Sequence, residues 1–325
     1  MGRPDLVVGT LESLIKQVQL PVEWEILLVG VDARNAARAF SRLPIRSVEL
    51  ARKENPAVTR NRGAEQALGE WLLFIDDDIE LQASYFQDLM AIAKSDRSIV
   101  AGKLPSKFAT IGSRLVDYAN FWSQQIDKRG ARDWFYSAAL AVRASVYREV
   151  GGFDPGFAIG EDVDFTGKIR RAGYRLHYEP SLVAFHNHGR TSLRRAFAYF
   201  LENGRGARFF TRHAYLTRCF NIQSAVYRAY QDYRTNESLN SRGVKGFRFY
   251  SAGIFTAYLV FQFSIEYHYQ RMLLDERKYR TFPVSSFGDR WAAKAFASFE
   301  DGRHFHGIAC YGVSLLASLF EPVRR

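Results

Sequence analysis

Apolar residues recur in two alternating rhythms over the first 190 positions. Short unbroken apolar runs are separated by longer segments whose apolar residues fall three and four apart. In residues 5–19, Val7, Leu11, Leu14 and Val18 share one helical face. The runs EILLV (25–29), IRSVEL (45–50), WLLFI (71–75), SIVAG (98–102) and AALAVR (138–143) read as strands, as do YRLHY (174–178) and SLVAF (181–185). Asn55-Pro56 reads as a helix start, with Asn as the cap and Pro at the first helical position. That helix runs through AVTRNRGAEQAL and stops at Gly69; a second covers about 83–94, and EDVDFTGKIRRAG (161–173) is a third, stopped by Gly173. Strands separated by helices predict an α/β fold with a mostly parallel sheet covered on both faces. Ligands in such sheets bind beyond the carboxyl ends of the strands.

The rhythm changes after about residue 190, which sets a boundary between a domain at 1–190 and a helical region at 191–325. In SLRRAFAYFLENG (192–204), Leu193, Ala196, Phe197, Phe200 and Leu201 fall at helical spacing, and Asn203-Gly204 reads as a stop. Two uncharged runs follow, 17 residues at 249–265 and 14 at 307–320. A membrane-spanning helix needs about 20 apolar residues, so the first is borderline and the second short.

Charge adds to this division. The chain of 325 residues carries a net charge of +11. Between Arg190 and Arg248, eleven Arg and one Lys stand against Glu202, Asp232 and Glu237, which leaves the first 189 residues near neutral. A basic, aromatic segment beside a neutral domain fits an anionic membrane surface, with the basic faces lying in the interface. Nucleic-acid binding is the weaker reading, because no module signature is visible. Plain helical packing is the third. The two cysteines, Cys219 and Cys310, make neither a disulfide framework nor a zinc cluster, and the opening MGRPDL has no signal-peptide core. These point to a reducing, cytoplasmic setting, peripheral to the inner face of the cell membrane.

Two acidic stretches carry the candidate chemistry. WLLFI ends abruptly in Asp76, Asp77 and Asp78. Adjacent carboxylates repel, and Asp76-x-Asp78 offers oxygen ligands to a hard divalent cation such as Mg²⁺ or Mn²⁺. The plainer alternative is an acidic loop that caps the next helix. In GGFDPGFAIGEDVDF (151–165), a Gly-rich turn leads to Glu161 and Asp162 at a helix start. A carboxylate there is held ionised by the helix dipole and can accept a proton from an attacking hydroxyl.

Together, TRNRGAEQALGEWLLFIDDD (59–78) and VGGFDPGFAIGEDVDFTGKIRRAGYRLHYEPSLVAFHNHG (150–189) resemble the family 2 glycosyltransferases of the GT-A, Rossmann-like fold, over roughly residues 3–190. The resemblance implies an inverting transfer of one sugar from a nucleotide-sugar donor to a glycolipid or polysaccharide-precursor acceptor. It implies a cation framed by Asp76 and Asp78, with Asp78 the direct ligand and His186 reaching the metal or diphosphate; His188 is the alternative. Asp77 would approach the ribose or the sugar. Asp162 would be the general base, with Glu161 orienting it or the acceptor. Arg60 would lie near the nucleotide base or phosphate.

The sequence departs from the family pattern in three places. The opening strand, central to the sheet in this fold, is absent: Arg3-Pro4 reads as its tail, so either the start codon lies downstream of the true one or the gap is filled otherwise. In LLVGVDARN, Gly30 stands where an acidic residue is usual, and Asp32 follows two positions late as the nucleotide-binding candidate. The Gln-x-x-Arg-Trp motif of processive synthases is missing after His186, which favours one transfer per encounter. The first two departures keep a second expectation open: a non-catalytic GT-A-like scaffold or binding protein with an incomplete nucleotide site.

Overall fold

The computed structural model describes residues 4–17, 23–157, 159–214, 229–230, 233–234 and 247–275. Residues 4–193 fall in one compact unit, and the long helices that follow fall in a second. In chain order the first unit contains α1 (Pro4–Ile15), β1 (Ile26–Gly30), α2 (Ala33–Ala39), β2 (Ile45–Glu49), α3 (Pro56–Ala64), β3 (Trp71–Ile75), β4 (Ile79–Leu81) and α4 (Tyr85–Ala93). Then come β5 (Ile99–Lys103), α5 (Ile111–Ala119), β6 (Gly130–Arg132), β7 (Ala139–Arg143), α6 (Ala144–Glu149), α7 (Glu161–Arg171) and β8 (Leu176–His186).

The α/β expectation holds. The main sheet has six strands in the order β3-β7-β5-β8-β4, with β6 also beside β8. β5 and β8 pair parallel. β7 is antiparallel to both its neighbours, so β3 and β5 still run the same way. β7 starts where β3 ends, with the Asp76 N–H bonded to the Ala138 carbonyl at 3.0 Å. That return brings residues 133–138 to the carboxyl end of β3. β1 and β2 pair parallel but form a separate two-stranded sheet. Helix α3 touches both pieces. Its Ala57 packs into the core with Leu72, Phe74, Phe153 and Phe165. On the other side, Gly63 admits Val29 of β1, whose side chain would sit 3.2 Å from any added Cβ.

Where YRLHY and SLVAF read as two strands, the chain makes one strand of 11 residues. Pro180, which lies between the two runs, falls where the register slips: Ala101 faces Tyr178 while Lys103 faces Val183. An irregular ladder leaves a position that needs no N–H, which is where a strand tolerates Pro. Gly102 sits at this irregularity, and a Cβ there would lie 1.9 Å from the Leu182 carbonyl oxygen.

In the second unit, α8 (Leu193–Ala214) runs straight through Asn203-Gly204, so the expected stop is not one. The reason is packing. A Cβ on Gly204 would lie 2.5 Å from that of Ser264 in α9 (Ser251–Asp275) and 2.7 Å from the Phe261 carbonyl oxygen. The glycine marks a close helix–helix approach, and the Ser264 hydroxyl donates to the Leu201 carbonyl at 2.5 Å. The apolar run at 249–265 thus lies largely in a packed helix, with Ile254 and Ala257 fully buried. Among the described residues no helix is long and apolar enough to cross a membrane. The run at 307–320 lies outside the described residues.

Candidate active site

Three segments converge beyond the carboxyl end of β3: helix α3, the turn after β3, and the start of α7. Each is set by local chemistry. The Asn55 side chain caps α3 by accepting the Val58 N–H at 2.9 Å, with Pro56 first in the helix, as the sequence predicts. This start turns Arg60 and Asn61 toward the site. Helix α7 begins after Gly160, whose φ of 85° favours glycine, and carries Glu161, Asp162 and Asp164 in its first turn, where the helix dipole favours anions.

Arg60 is the hub. One guanidinium nitrogen donates to Asp76 Oδ1 at 2.6 Å and the other to Glu161 Oε1 at 2.6 Å. The side chain is only 12% exposed. Its guanidinium also lies 5.4 Å from the centre of the Phe153 ring, within cation–π reach. Burial alone would lower its proton affinity, but Asp76 and Glu161 outweigh that and raise it above the ordinary range. Arg60 therefore faces two carboxylates, one from the end of β3 and one from the start of α7. Asn61, its neighbour, fastens the Gly-rich turn. It donates to the Phe153 carbonyl at 2.8 Å and accepts the Phe153 N–H at 3.0 Å and the Tyr147 hydroxyl at 2.6 Å. Asn55 adds a bond to the Pro155 carbonyl at 2.8 Å.

Asp162 sits beside this ion network. Burial raises its pKa first, and the Glu161 anion raises it further; Arg60 and the Val163 N–H, bonded at 2.8 Å, pull the other way. The balance leaves it raised to about 7. A carboxylate titrating near neutrality suits proton transfer in both directions.

Asp78 forms a second, adjoining centre. It is buried, and its Oδ1 lies 3.4 Å from His186 Nε2. β4 pairs antiparallel with β8, which sets Ile79 opposite His186. The other ring nitrogen, Nδ1, is buried with no hydrogen-bond partner. Among the described residues no group of three metal-binding side chains is gathered in coordinating geometry. Asp78 and His186 nonetheless suit a hard cation that takes few protein ligands and completes its shell with diphosphate oxygens and water. Asp76, the expected co-ligand, is engaged by Arg60.

The other predicted residues lie further out. The Asp77 carbonyl accepts the Thr10 hydroxyl at 3.0 Å. Asp32 is exposed at the end of β1 in the left-handed region, φ 61°. The start of α2 beside it is filled by Glu49, which accepts the N–H groups of Asp32 at 2.7 Å and Arg34 at 3.0 Å. His188, the alternative to His186, is engaged by Ser106 and the Arg190 backbone. Its Nδ1 accepts the Arg190 N–H at 3.1 Å, so the proton sits on Nε2, 2.6 Å from the Ser106 hydroxyl. Ser106 in turn donates to Asp117 at 2.5 Å. Because the serine proton goes to the carboxylate and not to the imidazole, this Ser–His–Asp set is structural and not a nucleophile. Sequence reasoning missed Asp117 and Asn61. The one available signal for Asp117 was a carboxylate inside the apolar stretch LVDYA.

An α/β sheet with carboxylates clustered beyond β3 and at a helix start has the form of a GT-A-type fold. A solved structure described as mannosyltransferase PcManGT from Pyrobaculum calidifontis in complex with GDP-Man and Mn²⁺ superposes with a TM-score of 0.51 at 14% identity, covering 97% of this chain and 84% of that one. At that identity the likeness is one of fold. Residues 2–150 match the model of the Glycosyl transferase family 2. It is 30% identical over 151 residues to the pre-mycofactocin glycosyltransferase of Mycobacterium tuberculosis, covering 43% of this chain and 32% of that protein. It is 28% identical over 167 residues to the O-antigen chain rhamnosyltransferase RfbN of Salmonella typhimurium, covering 46% and 51%. The chain thus spans about a third to a half of the length of these relatives.

Proposed function

We propose that the chain transfers a single sugar, with inversion, from a nucleotide-sugar donor to a hydroxyl of a glycolipid or polysaccharide-precursor acceptor. The observation that carries this reading is the meeting of Asp76, Arg60, Glu161 and Asp162 in one network beside the Asp78–His186 pair. Asp162 takes the acceptor's hydroxyl proton as the acceptor oxygen bonds to the anomeric carbon. The bond from that carbon to the diphosphate breaks, and the nucleoside diphosphate leaves with the electron pair. Glu161, fixed by Arg60, holds the start of α7 in place. Asp78 and His186, with Asp76, would hold a Mg²⁺ or Mn²⁺ ion. When bound, such an ion supplies positive charge to the departing diphosphate, which then leaves without a proton.

Two substitutions test these roles separately. Asp162→Asn keeps donor binding and loses at least about 100-fold in transfer, the range for loss of a general base; retained turnover removes Asp162 from the role. Asp78→Ala abolishes Mn²⁺-dependent binding of nucleotide-sugars in calorimetry; unchanged binding removes the metal role.

The second reading, a scaffold with an incomplete nucleotide site, is favoured by the split sheet and by exposed Asp32. It predicts no nucleotide-sugar binding in a thermal-shift screen with Mn²⁺, whereas the transferase reading predicts a stabilising donor. Peripheral attachment to an anionic membrane at the cytoplasmic face belongs to the first reading and rests on the basic segment 190–248. It predicts pelleting with anionic liposomes at low salt that is lost at high salt.

A further inference from the structure

Arg60 touches both ends of the cluster. Both of its terminal nitrogens are already committed at 2.6 Å, to carboxylates on two different segments. The next residue, Asn61, fastens the turn that delivers α7. Helix α3 therefore supplies both position and charge to the start of α7. We infer that Arg60 is a positioning residue and not a nucleotide ligand: by holding Asp76 with one nitrogen and Glu161 with the other, it makes the charge at the end of β3 felt at Asp162. This rests on the reading of Asp162 as the base.

The direction of the effect follows from the groups that face Asp162. They are Glu161 on its own helix, Arg60 from α3, Asp76 from the end of β3, and the Val163 N–H. Glu161 and Asp76 favour the protonated acid, whereas Arg60 and the N–H favour the carboxylate. The charge of Arg60 is divided between two anions. A cation that neutralises Asp76 removes one nearby negative charge and leaves Arg60 to Glu161 and Asp162. Both changes drive the proton off Asp162. The base then becomes ionised when the donor end is filled, and when it is empty stays about half protonated at neutral pH and mostly protonated below it.

The test needs no donor. The chain is labelled with ¹³Cγ-aspartate and its carboxyl resonances are followed by NMR against pH, with Asp162→Asn identifying the Asp162 signal. Arg60→Gln should raise the Asp162 midpoint by about one pH unit, the scale of a neighbouring charge. Arg60→Lys, which restores the charge, should return most of that shift. Asp76→Asn should lower the midpoint while leaving Arg60 in place, and it decides the matter if Arg60→Gln does not fold. Midpoints unmoved by both Arg60→Gln and Asp76→Asn overturn the inference. So does an Arg60→Gln protein that loses nucleotide affinity with an unmoved midpoint, since that is the behaviour of a nucleotide ligand. A chain inactive with every donor, in which the midpoint still moves, supports the coupling and instead retires the transferase reading.

Discussion

The two sheets are built from similar sequence and buried differently. Strands β5 (IVAGK) and β7 (ALAVR) have every residue but the last buried. β1 (ILLVG) is at least as apolar, yet only its final glycine is buried. The difference lies in neighbours. β5 has β7 on one side and β8 on the other, whereas β1 has β2 alone. Helix α3 covers part of β1, and among the described residues no strand pairs with its other edge. An apolar run thus specifies a strand, but how much surface it buries is set by what packs beside it. The site follows the same division. Its cation-binding candidates stand at strand ends of the well-covered sheet, with the proton-transfer candidates on α7 beside it, and Asp32, the nucleotide candidate, stands exposed at the end of the sparse one.

The largest expected effect falls on a glycine of the covered sheet. Gly102→Val places a side chain against the Leu182 backbone, where even a Cβ would be at 1.9 Å. The sheet would have to part, and the cost should exceed about 4 kcal/mol, seen as loss of soluble folded protein. Gly63, at the border with β1, is the counterpart. There a Cβ meets only the tip of Val29 at 3.2 Å, inside a helix that prefers Ala by up to about 1 kcal/mol. Gly63→Ala should melt within a few degrees of the wild type. A severe loss there would mean that α3 and β1 are packed as tightly as the main sheet.

Next come two matched truncations. Leu140→Ala in β7 empties a fully buried position and should cost about 2–5 kcal/mol in denaturant unfolding. Leu27→Ala in β1 removes a half-exposed side chain and should cost under about 1.5 kcal/mol. Equal losses would erase the distinction between the two sheets.

A further effect is one of pH. Asp162 has a folded pKa raised from 3.8 to about 7, so folding favours its protonated form. The stability tied to that proton is complete below pH 3.8 and is lost as pH rises through about 7. Asp162→Asn should therefore stabilise the protein by roughly 1–3 kcal/mol at pH 8 and by nothing measurable at pH 4. Thermal melts at the two pH values read this directly. A uniform gain at both would mean that packing, and not ionisation, is responsible.

Much of the first unit was legible along the chain. The Asn55-Pro56 start of α3, the acidic start of α7 after a glycine, and the apolar runs of β1, β2, β3, β5 and β7 each carry a local signal. Local rules failed where a contact distant in sequence took over. YRLHY and SLVAF join into one strand across Pro180, because the ladder slips beside Gly102. Gly204 did not end a helix, because α9 lies against it. Asp117 was passed over because nothing near it in sequence foretells Ser106 and His188.

The sequence by itself determined the elements, the clustering of carboxylates at a strand end and a helix start, and the uneven charge. These depend on spacing, capping and side-chain chemistry, all of which act over a few residues. Only the tertiary structure decided that Arg60 spends both nitrogens on Asp76 and Glu161, that burial and Glu161 poise Asp162 near neutrality, and that the β1–β2 ladder stands apart. Those properties arise from charges and edges brought together across as many as 101 positions. Electrostatic energy and burial depend on distance in space, which the order of residues along a chain does not reveal.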